Sequence, residues 1–83
     1  MRPYVGIRLN TGKRETFWSA RIPTQQTHGD KYAAAIGPFE TIRGARFMVA
    51  HGVNNPHLPD VRAAEYYAAV EAGEEPDKRS LVA

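Results

Sequence analysis

The sequence predicts an α+β domain, a three-stranded antiparallel sheet packed on one helix with a second helix on the C-terminal side. Three observations point there. Two stretches alternate apolar and polar residues around the turn-forming Asn10-Thr11-Gly12. One stretch, Ile42 to Val49, carries apolar residues at helical spacing between a Thr41 cap and Gly52. That helix, about ten or eleven residues, is too short to be stable alone and needs a platform.

Pro3 to Leu9 reads as the first strand, with Val5, Ile7 and Leu9 on one face and Tyr4, Gly6 and Arg8 on the other. Thr16 to Ile22 reads as the second, with Trp18, Ala20 and Ile22 toward the core and Phe17, Ser19 and Arg21 outward. Pro23, lacking an N–H for a ladder, ends it. Thr24 to Asp30 is polar, contains Gly29, and reads as a longer mobile loop.

Lys31 to Ile36 contains three alanines, whose propensity favours helix. Gly29 and Gly37-Pro38 leave a helix little room there, so a third strand completing a meander is the expectation. The sheet face away from the helix is then open to solvent or a partner. Pro38 keeps the entry to the helix extended, and Ile42, Ala45, Met48 and Val49 form the buried face. A second helix is capped by Asp60, buries Val61, Ala64, Tyr67 and Ala68, and closes at Gly73. Residues 1–73 are thus expected to form a single domain, and residues 74–83 a charged, frayed tail.

Eighty-three residues make one domain that buries somewhat over ~60% of the surface its unfolded chain exposes. Without cysteine it has neither disulfides nor thiolate zinc ligands to supplement the core. No run approaches the roughly 18 apolar residues that cross a bilayer, and the first residues lack a signal-peptide core. No membrane association is expected, and the expected location is the cytoplasm of a bacterial or phage-infected host cell.

The formal charge of +2 is unevenly spread. Eight basic residues face three acidic ones in residues 1–50, and three face six in residues 51–83. A basic half with interleaved aromatics suits an anionic partner. Arg8 and Arg21 offer planar donors for guanine edges or phosphates, and Lys13, Arg14 and Lys31 offer further positive charge. Tyr4 and Phe17 fall outward by register, where they could stack on bases or centre a protein interface. Catalysis finds no support: no phosphate-binding glycine loop, no nucleophile elbow and no evident carboxylate pair occurs. His51, His57 and Asp60 form only a nominal metal triad whose spacing matches no known mechanism, so neither metal nor cofactor is expected.

The order of residues resembles the plant ethylene-response-factor DNA-binding domain, a fold also found in bacterial and phage proteins. The matching residues are Tyr4, Gly6, Ile7 and Arg8, then Gly12-Lys13, then Trp18, Ala20 and Ile22. Ile36-Gly37, Phe39, Thr41 and Ala45 complete the match, which covers about residues 4–50. The resemblance implies a three-stranded sheet laid in the major groove of double-stranded DNA, a groove about 12 Å wide. It carries over to Arg8, Lys13, Ser19 and Arg21 as contact residues. The family's basic and aromatic outer residues on the third strand are Ala33 and Ala35 here, and the Arg expected after Ile22 is Pro23. Those departures remove contacts and keep a second expectation alive. In it, the chain is a small phage-type accessory protein that modulates a host or phage protein through the same face or the second helix. A homodimer is also an expectation, since a lone module of this size makes few contacts.

Overall fold

Arg2–Arg8 and Arg14–Ser19 form an antiparallel hairpin, β1 and β2, in the computed structural model, which describes residues 1–77. Gly12, at φ 69°, takes the left-handed conformation the turn requires. The chain continues through α1 (Gln25–His28), β3 (Tyr32–Ile36), α2 (Ile42–His51) and α3 (Val61–Glu71). The class is the predicted α+β.

The strands do not form the expected meander. Their order is β2-β1-β3, so β1 is central, and β2 and β3, both antiparallel to it, run parallel to each other. Parallel strands cannot be joined by a tight turn and need a crossover of about a dozen residues. The segment between Ser19 and Tyr32 supplies that length. What reads as a mobile polar loop is therefore a structured crossover. Its short helix is held by a reciprocal capping box, in which Thr27 N–H donates to Thr24 Oγ1 (3.2 Å) and Thr24 N–H to Thr27 Oγ1 (2.9 Å).

The two sheet faces follow from the alternation. Val5 points to the helices, where it packs with Phe39, Ala45, Met48, Leu58, Ala63 and Ala64 in the core. Tyr4, Phe17 and Tyr32 occupy the opposite face, where successive rings lie 5.6 and 4.7 Å apart. His28 of α1 lies 5.2 Å from Phe17, which places the crossover over that face. The face expected to be open is thus roofed in part by the chain itself. Tyr4, read as outward and accessible, is only 3% exposed, and Tyr32 only 4%.

Trp18 departs in the other direction. It keeps the helix-side register opposite Pro3, yet it is 52% exposed, because it lies near the end of an edge strand. β2 ends at Ser19 and not at Ile22. There the Ser19 hydroxyl donates to Arg21 O and accepts from Arg21 N–H, a local turn that breaks the pleat. Ile22 is left 71% exposed, and Leu9, past the end of β1, is exposed as well.

The helices are capped as their sequences predict. Thr41 Oγ1 accepts from Gly44 N–H (3.1 Å) at the start of α2, and Gly52 closes it with its N–H on Met48 O, at φ −80° and so right-handed, not in the left-handed conformation expected of a closing glycine. Asp60 Oδ1 accepts from Ala63 N–H (3.0 Å) at the start of α3. Gly73, at φ 85°, ends α3 with Gly73 N–H on Val70 O and Glu74 N–H on Ala69 O, the paired bonds of a Schellman motif. α2 packs on β1 and β2, and α3 packs on α2. Glu74, in the expected tail, is held by Arg43, and the rest of that tail beyond Asp77 lies outside the described residues.

Candidate nucleic-acid interface

The hairpin end of the sheet gathers positive charge because three separate pieces of chain meet there. Arg8 ends β1, Lys13 and Arg14 lead into β2, and Lys31 precedes β3. Backbone bonds fix the meeting: Arg8 N–H donates to Lys13 O (2.8 Å), and Leu9 N–H donates to Lys31 O (3.1 Å). Together with Asn10, Thr11, Glu15 and Asp30, these side chains line an open concavity of about 680 Å³. Four cations there face two carboxylates.

The cations are held differently. Arg8 forms an ion pair with Glu15, and its guanidinium sits 5.9 Å from the Tyr32 ring centre. The Lys31 ammonium lies 5.3 Å from the same ring, so one aromatic ring has two cations beside it. Arg14 leans toward Gly52 at the C-terminal end of α2, where the helix dipole favours a cation. Among the described residues Lys13 enters no ion pair.

Of the six residues expected to contact DNA, Arg8, Lys13, Arg14 and Lys31 come together here, and Ser19 and Arg21 do not. Ser19 ends β2, roughly 17 Å along the strand from Arg14, and Arg21 lies beyond it. Ser19 is buried, and its hydroxyl is committed to the Arg21 backbone. Tyr4 and Phe17, the candidate stacking pair, stack on each other, with Phe17 against His28, and Tyr4 is buried.

Sequence reasoning missed Asn10, Thr11, Glu15 and Asp30 as lining residues, and also the part played by Tyr32. The Asn10-Thr11 turn was visible, but nothing local joins it to Lys31. Gly6 carries a clue in hindsight: a Cβ there would come within 2.5 Å of the Tyr32 ring, so the glycine is what lets Tyr32 lie flat across β1.

A second concavity, about 760 Å³, lies between the start of β1, the start of α2, and α3. Its charges are balanced internally. Arg43 makes a two-pronged pair with Glu74, Arg2 Nε donates to Phe39 O (3.1 Å), and Glu65 accepts from Thr41. Hydrogen bonding to Arg43 holds the Glu74 carboxyl below its ordinary range and raises the Arg43 guanidinium. Among the described residues no three metal-ligating side chains cluster, and Asp60 of the nominal triad serves as the α3 cap. No helix among them is long and apolar enough to cross a membrane.

Compared with known proteins, the chain matches no family model, no curated protein and no solved structure.

Proposed function

We propose that the protein is a small DNA-binding protein that holds the phosphate backbone of double-stranded DNA with the basic end of its hairpin. The observation that carries this reading is the convergence of Arg8, Lys13, Arg14 and Lys31 on one open concavity. Lysine and arginine at a turn that protrudes from a sheet suit phosphates on a curved backbone, where contact needs charge and reach more than an exact base edge. The ordered residues that resemble the ethylene-response-factor domain support the same partner. The covered aromatic face argues for backbone contacts over insertion of the whole sheet into the major groove.

The test is fluorescence anisotropy of a labelled random duplex at two salt concentrations. Non-specific binding in the range of about 10⁻⁴–10⁻⁶ M is expected, and four neutralised phosphates would weaken it on the order of a hundredfold between 50 and 200 mM salt. The Lys13→Ala, Lys31→Ala double variant should reduce the log–log salt slope by about two, and Arg21→Ala should leave it unchanged. Absence of binding at low salt, or an unchanged slope in the double variant, overturns the reading. A chain that binds no duplex would favour the accessory-protein reading, for which the exposed Ile22 and Val53 are the supporting observation.

A further inference from the structure

We propose that β2 is a self-pairing edge, through which two copies of this chain join into one continuous sheet about a twofold axis at Thr16. This proposal does not rest on DNA binding, although Arg14 belongs to both surfaces. It starts from the direction of the backbone groups. On β1, Arg8 N–H donates to Lys13 O (2.8 Å) on the β2 side, whereas Leu9 N–H donates to Lys31 O (3.1 Å) and Pro3 O accepts from Phe39 N–H (2.8 Å) on the β3 side. Even-numbered residues of β1 therefore bond β2. Their partners Glu15, Phe17 and Ser19 turn their N–H and C=O groups inward. Arg14, Thr16 and Trp18 turn theirs outward, away from the sheet.

Edge strands are ordinarily blunted by proline, glycine, an outward lysine or a bulge. β3, the other edge, has a register irregularity opposite Ile7 and Arg8. β2, with the sequence RETFWS, has no proline, lysine or bulge, confines its charges to Arg14 and Glu15 at one end, and carries a half-exposed tryptophan at the other. An unpaired, regular edge beside an exposed aromatic is a pairing surface.

Charge selects a second copy and its register. A twofold axis at Glu15 would oppose Glu15 to its own copy, and an axis at Phe17 would set Arg14 opposite Ala20, beyond the end of β2 at Ser19. The axis at Thr16 avoids both faults. It sets Arg14 beside Trp18 of the other copy on the helix side, a cation against an aromatic ring, and opposes Lys13 to Ser19. The outward groups then match: Thr16 faces Thr16, and Arg14 faces Trp18 twice, each facing pair exchanging both of its N–H···O bonds.

Trp18 is the sole tryptophan, so its emission reports the interface directly. In sedimentation equilibrium of the full chain, the mass should rise from monomer to dimer with concentration, and tryptophan emission should shift to the blue in parallel. Thr16→Pro removes an outward donor that the β1–β2 ladder does not use, so it should leave circular dichroism intact and hold the chain monomeric. Trp18→Lys, which sets like charges opposite Arg14, should do the same and serves if the proline variant misfolds. A Thr16→Cys variant should be joined by a short thiol-specific cross-linker at least tenfold faster than Gln26→Cys on α1. A wild-type chain that stays monomeric at millimolar concentration overturns the proposal. So does a dimer that survives Trp18→Lys, or equal cross-linking at the two positions.

Discussion

Glu65 of α3 occupies the space that a side chain on Gly44 of α2 would need: a Cβ at Gly44 would fall 1.6 Å from Glu65 Oε1. That proximity lets the carboxylate accept from Thr41 N–H (3.2 Å) and from Thr41 Oγ1 (2.9 Å), while Thr41 Oγ1 accepts from Gly44 N–H. One helix supplies the anion that completes the N-terminus of the other, where the peptide dipoles favour negative charge. Gly44→Ala should displace the carboxylate and destabilise the fold by about 1–3 kcal/mol, despite the better helix propensity of alanine. In a Glu65→Ala background the same substitution should lose much less. Urea denaturation of the four variants gives the coupling, and additivity within about 0.5 kcal/mol would break the link.

The phenol of Tyr32 is buried, and its hydroxyl has no hydrogen-bond partner among the described residues. An unpaired buried hydroxyl adds desolvation without a compensating bond. Tyr32→Phe should therefore keep or raise the thermal midpoint, while Tyr32→Ala, which strips the ring from Gly6 and Phe17, should lower stability by about 3 kcal/mol or more. A marked loss in the phenylalanine variant would show that the hydroxyl has a partner.

Two large aromatics should respond to truncation by very different amounts. Phe39 is fully buried in the core, and Phe39→Ala should cost about 3–5 kcal/mol. Trp18→Ala should cost no more than about 1 kcal/mol when measured at low micromolar concentration. Chemical denaturation followed by circular dichroism compares them, and a larger loss at position 18 would restore tryptophan to the core.

The Arg43–Glu74 pair predicts a modest acid dependence. Because the folded state holds the Glu74 carboxyl below its unfolded range, the pair's contribution is fully present above the ordinary glutamate range and fades as pH falls through the lowered value. Both side chains are exposed, so the contribution is small and screened by salt. An NMR titration of the Glu74 carboxyl should show its midpoint return toward the ordinary value in Arg43→Gln. An unmoved midpoint would mean that the pair does not persist in solution.

Much of the local structure was legible because it depends on near neighbours in the chain. Thr41 and Asp60 announce the helix starts, Gly52 and Gly73 mark their ends, and Asn10-Thr11-Gly12 marks the hairpin. Strand order was not legible, because pairing β3 to β1 in place of β2 leaves every local pattern unchanged. The same limit explains the aromatic errors. Alternation assigns Tyr4 and Trp18 correctly to opposite faces, but burial depends on what lies above each face. The Thr24-to-Thr27 spacing was the available sign that the polar loop held a turn of helix. At the basic hairpin end, Arg8, Lys13 and Arg14 are neighbours in sequence, whereas Lys31 joins them only through the strand order. Ser19 was misjudged because its hydroxyl serves the backbone two residues on.

The central position of the first strand sets an order on assembly. When the chain emerges from a ribosome, Arg2–Arg8 can zip only to the hairpin partner beside it, and its other flank stays bare until Tyr32–Ile36 has been made and carried across. Folding therefore waits on the arrival of a distant segment, a long-range closure that slows it relative to a chain of successive hairpins of equal length.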